Sequence, residues 1–368
     1  MKESLKDRKN RHLEICLHEN VETGCTDLDS IRLPHCALPE CSADTVDLST
    51  SFLGYKLKMP VLISCMTGGS GRGRDLNRIL ARSAEKCGMA IGTGSIRVMM
   101  ENPEYKNHFT LKEEAPSVPV LANIGAAQLT EYSHKRILDA VKQIGADGLY
   151  VHLNPAQELF QKGGDSDFRG WYKAVAALTE ASDIPVLVKE TGNGISPEEG
   201  LKLLKLGVHF IDAAGSGGTD WIAVENSLNP ESSEQAAASS FYGWGYSTGE
   251  LLLAYRYILE HSPENAALLH NRLIASGGLR TAMDFAVSLA CGAYLAAAAL
   301  PFIQAAEKGG EHAVCSYAAS LENGIRRAMV LSGTAQLETF RSITLRVPPS
   351  LCRKARELAD KALPGEIL

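Results

Sequence analysis

Four polar side chains follow a short apolar run near the middle of the chain, and their types suit acid–base chemistry. The run 148–151 predicts a buried strand, and Pro155 ends it because proline lacks the amide hydrogen that a continuing strand would donate. A neutral amide beside a carboxylate suits a site that moves protons near a metal-bound anion. The polar residues at this point are His152, Asn154, Gln157 and Glu158.

Each of these side chains also has a purely structural interpretation. A lone histidine on an apolar strand is more often a satisfied core residue than a catalyst, although His152 and Asn154 share one strand face. Glu158 could simply be stabilised by the dipole at a helix N-terminus. Beside a diphosphate it would instead hold Mg²⁺, which favours one or two carboxylates together with phosphate oxygens. A zinc site is not expected, because no second histidine or cysteine lies at ligand spacing.

The pattern of this stretch recurs along the chain: an apolar run, a polar or glycine-rich end, and usually an amphipathic stretch. Continuous apolar runs are typical of parallel strands buried on both faces. Eight such units predict an α/β fold of the (β/α)8 TIM-barrel type. The predicted strands are 61–66, 89–92, 119–122, 148–151, 185–188, 208–212, 272–275 and 293–297, and predicted helices include 75–86, 134–144, 168–181 and 197–206.

The remaining segments predict additions to a single barrel domain spanning residues 1–368. Residues 1–59 form an N-terminal extension, with a helix at 6–22 and a β-hairpin at 44–59 around Gly54. The barrel strands occupy 60–303 and C-terminal helices occupy 304–368. The connection 216–271, between strands six and seven, exceeds a normal loop and predicts an active-site insertion.

Glycines and polar groups occupy the ends of the predicted strands, where a barrel of this type carries its reactive residues. The segment 215–218 follows strand six, and Gly277 and Gly278 follow strand seven. A single glycine pair could only make a tight turn, but two pairs on consecutive strands favour a phosphate site. Donors that suit a planar heterocycle ring the same end: Thr67, Ser95, Asn123 and Lys189. Lys189 could stabilise a reduced flavin, or it could belong to a structural ion pair.

A basic cluster lies in the predicted N-terminal helix. Arg8 and His12 are four residues apart on one helical face, with Lys9 beside them. Taken alone, such a cluster is more often a solvated face. The functional alternative is a phosphate clamp, since arginine binds phosphate oxygens in a bidentate manner and lysine adds a point charge.

Composition narrows the classes of protein that need to be considered. A chain of 368 residues with 45% hydrophobic content can bury a large core, and a net charge of −6 argues against nucleic acid as a partner. Nine scattered cysteines without a C-x-x-C pair favour reduced thiols. The charged start lacks a signal-peptide core, and the run 293–303 is too short to span a bilayer. We therefore expect a cytoplasmic enzyme without a membrane partner.

In sum the chain resembles the type 2 isopentenyl-diphosphate delta-isomerases, the flavin-dependent family, from residue 8 to about residue 302. The segments that carry the resemblance are Arg8-Lys9 with His12, 66–69, Gly94-Ser95 with Arg97, 122–125, 152–158, 164–171, 188–190, 217–221 and 276–280. The resemblance implies a barrel that binds FMN and Mg²⁺ and interconverts isopentenyl and dimethylallyl diphosphate for isoprenoid biosynthesis. It also implies a 1,3-proton shift without net redox change, a flavin reduced by NADPH or another reductant, and a homo-oligomer, a tetramer or octamer.

The resemblance assigns roles residue by residue. FMN contacts are expected at Thr67, Ser95, Asn123, Lys189, Thr219, Gly277, Gly278, Ala297 and Ala298. Diphosphate contacts are expected at Arg8, Lys9, His12, Ser95, Arg97, His152, Asn154 and Gln157. Gln157 is expected beside the isoprene carbons, with His152 and Asn154 as further catalytic residues and Glu158 as the Mg²⁺ ligand. Trp221 and Trp244 either wall the apolar part of the pocket or belong to the core.

Two positions depart from the family pattern, and two other classes of protein compete with it. Ile96 replaces a residue that is commonly polar, and Ala297 replaces a common glycine, which bears on affinity and substrate. One competitor is an FMN-dependent oxidoreductase of the 2-hydroxy acid oxidase type, which needs a general base. His209 and His270 are expected on the opposite rim, and the N-terminal cations are superfluous for a small monoacid. The other competitor is a non-catalytic flavin-binding protein.

Overall fold

Eight parallel strands close into a barrel at the centre of the chain. The structure is a computed structural model that describes residues 5–65, 68–228 and 235–363. Each barrel strand pairs with its sequence neighbours, and the last strand pairs with the first. The barrel strands are β3 (Val61–Ile63), β4 (Ala90–Ser95), β5 (Val120–Gly125), β6 (Gly148–Leu153), β7 (Val186–Glu190), β8 (Phe210–Asp212), β9 (Leu273–Ala275) and β10 (Leu295–Ala298). The predicted (β/α)8 barrel is confirmed, with all eight strands at the predicted places.

Helices surround the barrel and account for the apolar character of the strands. The strand bodies are covered on both faces, as in Val61, Leu62 and Ile63, which are at most 1% exposed. The helices are α1 (Leu5–His18), α2 (Gly71–Cys87), α3 (Arg97–Glu101), α4 (Ala126–Glu131), α5 (His134–Gln143), α6 (Pro155–Phe160), α7 (Trp171–Ala181), α8 (Pro197–Lys205), α9 (Trp221–Leu228), α10 (Gln235–Ser239), α11 (Thr248–His261), α12 (Pro263–Leu269), α13 (Ala282–Ala290), α14 (Leu300–Leu331), α15 (Leu337–Phe340) and α16 (Pro349–Asp360).

The N-terminal extension contains the predicted helix and the predicted hairpin. The hairpin consists of β1 (Thr50–Phe52) and β2 (Tyr55–Leu57), which pair antiparallel. Its turn needs positive φ at Leu53 and Gly54, with values of 50° and 83°. Phe52 contacts Phe210 at the start of β8. The hairpin therefore covers the amino-terminal ends of the strands, whereas α1, which ends at His18 rather than at residue 22, lies at the other end.

The long connection after β8 is only partly an insertion. Helix α11 packs against α8 and α16, so it takes the usual place of a helix that covers the barrel. The additional residues lie before Thr248 and include α9, which contacts α1 and α6. The predicted active-site insertion is therefore confirmed for its first half, while its second half supplies barrel helices.

The C-terminal part begins with a long helix that directly follows the last strand. Helix α14 begins at Leu300, slightly before the predicted boundary at residue 304, and bends where Gly309 and Gly310 leave helical φ/ψ values. All nine cysteines are free thiols. Within the described ranges, no helix is long and apolar enough to cross a membrane.

Candidate active site

A cavity of about 440 Å³ opens at the carboxyl ends of the barrel strands, and α1 lies across it. It brings together most of the side chains that the sequence singled out. Those lining it are Arg8, Lys9, His12, Ser95, Arg97, Asn123, His152, Asn154, Gln157, Glu158, Lys189, Thr219, Gly277, Gly278 and Ala298. Thr67 lies outside the described residues. Ala297 does not line the cavity, because it is fully buried inside β10.

Glu225 on α9 joins three of these residues. Its carboxylate accepts hydrogen bonds from Arg8 Nη2 at 2.9 Å and from Gln157 Nε2 at 2.9 Å, and it pairs with His12 Nε2 at 3.0 Å. The side chain of Glu225 is only 1% exposed. Burial by itself would raise the pKa of this carboxyl, but His12, Arg8 and Gln157 together lower its pKa below the usual value. Glu225 is therefore a buried anion that orients a guanidinium, an imidazole and an amide.

The polar residues after β6 orient one another. Asn154 Nδ2 donates to Gln157 Oε1 at 3.1 Å and to Glu158 Oε1 at 3.0 Å. The other oxygen of Glu158 accepts from Gln161 Nε2 at 3.3 Å and from the amide of Asp165 at 3.1 Å. Gln157 is thus fixed at both ends of its amide, since Glu225 holds its nitrogen and Asn154 holds its oxygen.

His152 is held as a neutral ring. Its Nδ1 pairs with Asn123 Oδ1 at 2.9 Å. Burial lowers its pKa to about 3, and the positive charges of Lys189 and Lys9 act in the same direction. The ring therefore stays uncharged near neutral pH, where it can exchange hydrogen bonds but makes a poor general base.

Lys9 carries the only amino group among the described cavity residues that is buried without a hydrogen-bond partner. Part of its stem is accessible, but its Nζ is enclosed, and this burial lowers its pKa to about 8. Glu101 opposes that shift, while Arg97 adds to it. An enclosed, unpartnered ammonium next to a guanidinium suits an anionic ligand.

Lys189 faces the cavity from β7, above a buried polar cluster. Its Nζ donates to the carbonyl oxygen of Glu190 at 2.5 Å. Asp212 lies opposite Lys189 in the register of β7 and β8, and its carboxylate accepts a hydrogen bond from Tyr150 Oη at 3.3 Å. Lys189 lines the cavity, and its charge also partly offsets the rise in pKa that burial causes at Asp212 and Glu190.

The glycine pairs after β8 and β9 pack against each other. Gly217, Gly277 and Gly278 have φ of 115°, 99° and 77°, and a Cβ atom at Gly277 would lie 2.0 Å from the Gly215 oxygen. Close approach of the two loops thus requires these glycines. The backbone amides of Gly218, Gly277 and Gly278 donate no hydrogen bond to another described group. The glycines therefore make tight turns, and whether their amides bind a phosphate stays a prediction.

The two departures from the family pattern face away from the cavity. The Ile96 side chain is fully buried in the core, and its amide donates to the carbonyl oxygen of Asn123 at 2.8 Å. Ala297 pairs with Leu62 inside the barrel. Trp221 lines the cavity, with its ring 5.4 Å from that of His12, whereas Trp244 is 60% exposed and lies outside it.

Sequence reasoning missed Glu225 and its neighbour in the insertion, Asp220. Glu225 follows the apolar residues Ile222, Ala223 and Val224, so it reads as one polar residue of a helix. The available signal was a lone acid in an otherwise apolar stretch within a predicted active-site insertion. Among the described residues there is no cluster of three or more histidine, cysteine or acidic side chains that could hold a metal ion.

Comparisons with known proteins agree with the barrel fold. A family model described as FMN-dependent dehydrogenase matches residues 256–346. A flavocytochrome b2 variant superposes with a TM-score of 0.69 at 17% identity, covering 98% of this chain and 89% of that one. A mandelate oxidase variant gives 0.59 at 15% identity, with 94% and 98% covered. At this identity the superpositions show the barrel fold alone.

Relatives with much higher identity share one name. The isopentenyl-diphosphate delta-isomerase of Stutzerimonas stutzeri is 40% identical over 349 residues, covering 94% of this chain and 98% of the relative. That of Pyrococcus furiosus is 36% identical, with 92% and 86% covered. The protein of that name from Borreliella afzelii is 40% identical over 91% of this chain and 92% of its own length. This chain therefore belongs to the isopentenyl-diphosphate delta-isomerase family.

Proposed function

We propose that the chain interconverts isopentenyl diphosphate and dimethylallyl diphosphate by a 1,3-proton shift, with reduced FMN and Mg²⁺, as a step of isoprenoid biosynthesis. The observation that carries the proposal is the enclosed, unpartnered Nζ of Lys9 beside Arg97, in a cavity that also holds Arg8. Arg8 also pairs with Glu225, and Arg97 also pairs with Glu101. The unpartnered Lys9 beside two guanidiniums suits a diphosphate, whose several oxygens can be shared among these donors. The family to which the chain belongs carries the name of this reaction.

The diphosphate would be bound from two sides. Arg8, Lys9 and His12 approach it from α1, while Arg97 approaches from α3. Ser95, His152 and Asn154 would supply neutral hydrogen-bond partners from the ends of β4 and β6. The low pKa of His152 keeps its ring uncharged near neutral pH, so the ring adds no positive charge to the site.

FMN fits the residues at the barrel mouth. Free amides at Gly277 and Gly278 suit its phosphate, and Thr219, Ala298 and the buried Ala297 belong to the same end of the barrel. Ser95, Asn123 and Lys189 offer the polar groups that a flavin ring needs, and Thr67 is proposed with them from the sequence. The reduced cofactor would supply the strong acid that an unactivated alkene requires, with NADPH or another reductant keeping it reduced.

Gln157 is the side chain that we propose beside the isoprene carbons. Its amide is fixed by Asn154 and Glu225, so it can exclude water and hold a proton-transfer geometry without becoming charged. The low pKa of Glu225 keeps this carboxyl ionised, so it cannot act as the acid near neutral pH. Glu225 would therefore not supply the proton to the alkene.

Glu158 is the proposed Mg²⁺ ligand. Its two carboxylate oxygens are within reach of the cavity and now accept hydrogen bonds from Asn154, Gln161 and Asp165. A single carboxylate suits Mg²⁺ only when phosphate oxygens complete the shell, because this ion keeps an octahedral set of oxygen ligands. Metal binding is therefore expected to depend on the diphosphate.

A 2-hydroxy acid oxidase activity is the competing proposal, because the family model and the superposed structures point to that class of barrel. The pKa of about 3 argues against His152 as the general base that such an enzyme needs. His209 and His270 do not line the cavity. The number of cations also exceeds what a small monoacid requires.

We further propose a cytoplasmic homo-oligomer, a tetramer or octamer, for which light scattering on the FMN-loaded protein is the test.

The experiment is an anaerobic assay with isopentenyl diphosphate, FMN, Mg²⁺ and a reductant, followed by proton NMR. We expect dimethylallyl diphosphate only when the flavin is reduced, and a kcat at least about 100-fold lower in Gln157→Ala. Gln143→Ala, at an exposed position of α5, is the matched control and should retain activity. A folded, FMN-loaded protein that makes no product but is reduced by 2-hydroxy acids would overturn the proposal in favour of its competitor.

A further inference from the structure

Asp220 lies between the cavity residues Thr219 and Trp221, but its own carboxylate does not line the cavity. Asp220 is 8% exposed, and both of its carboxylate oxygens accept hydrogen bonds. Oδ1 accepts from the amides of Ile222 at 2.9 Å and Ala223 at 3.3 Å, which caps the start of α9. Oδ2 accepts from the amide of Gly243 at 2.8 Å and from the hydroxyl of Thr23.

These partners belong to three separate parts of the mouth. Helix α9 carries Trp221 and Glu225, and Thr23 belongs to the segment that follows α1. The amide of Asp220 also donates to the carbonyl oxygen of Val21 at 2.8 Å, so this residue ties the same segment twice. Gly243 belongs to the insertion between β8 and β9. One buried carboxylate thus joins the N-terminal extension, α9 and the rest of the insertion.

Helix α9 and helix α1, which leads into the segment tied by Asp220, carry opposite halves of one cluster. Arg8 and His12 come from α1, and Glu225 comes from α9. Their apolar faces pack together through a small separate core made of Ile15, Cys16, Val21, Ala223, Val224, Leu228 and Leu300. A contact that fixes the start of α9 against the segment after α1 therefore helps to set the distance between Glu225 and its partners.

We propose that Asp220 is a positioning residue, which holds α1 against α9 so that Arg8 and His12 face the diphosphate and Glu225 orients Gln157. The proposal rests on the proposed function, because it assigns a consequence to the diphosphate site. It adds a residue that touches neither substrate nor cofactor. Its carboxylate acts through the helices that carry those contacts.

The cofactor loops also have contacts of their own, in addition to the bond from Ser216 Oγ to the carbonyl oxygen of Gly243 at 3.4 Å. Thr248 Oγ1 donates to the carbonyl oxygen of Gly277 at 2.6 Å. The amide of Ser216 donates to the carbonyl oxygen of Tyr246 at 2.8 Å. Loss of the Asp220 bridge should therefore weaken substrate binding while FMN binding is kept.

Asp220→Ser separates capping from bridging. Serine caps helices about as well as aspartate, but its shorter side chain cannot reach Thr23 and Gly243 while it caps α9. We expect the KM for isopentenyl diphosphate to rise at least about tenfold in FMN-loaded Asp220→Ser and in Thr23→Val. We expect a smaller fall in kcat, because Asn154 still holds Gln157, and an FMN Kd within about twofold of the unmodified chain. Asp220→Asn, which keeps an oxygen acceptor, should restore part of the affinity.

Ser133→Ala is the matched control, since it removes a helix cap from α5. The Ser133 side chain accepts only from the amide of Arg136. This variant should leave KM unchanged. Two readouts do not depend on turnover: binding of inorganic diphosphate to the FMN-loaded protein, and tryptic cleavage at Arg8 and Arg11. Asp220→Ser should bind diphosphate more weakly and be cleaved faster at both sites.

Wild-type KM, diphosphate binding and cleavage rate in Asp220→Ser would overturn the positioning role. An equal loss of FMN and diphosphate affinity would also overturn it, because that pattern marks a general structural defect. If the unmodified chain makes no dimethylallyl diphosphate while Asp220→Ser still loses diphosphate binding and exposes α1, the positioning role stands and the proposed function fails.

Discussion

At the scale of single residues, the site encloses a charged group that lowers the stability of the ligand-free protein. The same group favours the binding of a ligand of opposite charge. Lys9 shows this most directly, because its Nζ is enclosed without a partner and burial lowers its pKa to about 8. Its folded pKa lies below its unfolded value, so below about pH 8 the charged side chain destabilises the folded state. An anion that pairs with it would offset this cost.

We therefore expect Lys9→Met to stabilise the free chain by about 1–3 kcal/mol at pH 7 while greatly weakening substrate binding. Methionine keeps a long apolar stem and removes the buried charge. Urea unfolding at pH 7, with KM measured on the FMN-loaded protein, checks both halves of the prediction. A destabilised Lys9→Met chain with an unchanged KM would contradict it.

His152 provides a second prediction at this scale, from the pH dependence of stability. Burial is the largest cause that lowers its pKa to about 3, whereas in the unfolded chain the ring has a pKa near 6.5. The contribution of the neutral ring is fully present above pH 6.5 and is lost as the pH falls towards 3. The free energy of unfolding should fall by at most about 1.4 kcal/mol per pH unit from this group.

The measurement is urea unfolding of the FMN-free chain and of His152→Gln at pH 6.5 and pH 5. The unmodified chain should lose up to about 2 kcal/mol more than the variant over this interval, in which most carboxyl groups have not yet titrated. Equal losses in the two proteins would mean that His152 is not held neutral.

Most residues around the cavity could be predicted because strand ends collect at one rim of a barrel. His152, Asn123 and Lys189 follow from this rule. Glu225 and Asp220 could not be predicted in this way, since they reach the site from an insertion whose path no strand periodicity encodes. Their roles depend on which groups of α1 meet α9, and such a long-range contact leaves no local pattern in the sequence.

At the scale of elements, the strands were predictable and their borders were less so. Strand β4 extends to Ser95 and carries polar residues into the site, whereas the apolar run stops at residue 92. The sequence pattern did not identify α11 as a barrel helix within the predicted insertion, because its position depends on packing against α8 and α16. Local patterns describe each element, but the partner that an element packs against is a tertiary property.

Ile96 tests whether a departure from the family pattern alters the site or the core. Its side chain is fully buried, and its amide donates to the carbonyl oxygen of Asn123. We expect Ile96→Thr to cost about 2 kcal/mol of stability, because it removes buried apolar volume and buries a hydroxyl. The KM should stay within about twofold. A lower KM without loss of stability, in urea unfolding and steady-state assays, would show that residue 96 contacts the substrate.

At the scale of the whole molecule, one barrel supports two classes of chemistry. The superposed flavocytochrome b2 and mandelate oxidase variants share the fold at 17% and 15% identity, while relatives near 40% identity carry the isomerase name. In this chain, α1 places Arg8, Lys9 and His12 over the cavity. The fold alone therefore does not decide the reaction.

The measurement that tests the central claim most directly is proton and deuterium NMR of the anaerobic reaction in deuterated buffer, with a limiting amount of reductant. An isomerase without net redox change should form many molecules of dimethylallyl diphosphate for each two-electron equivalent, with deuterium entering at the carbons that exchange protons. Product limited to the amount of reductant, or no product while 2-hydroxy acids reduce the flavin, would contradict the account.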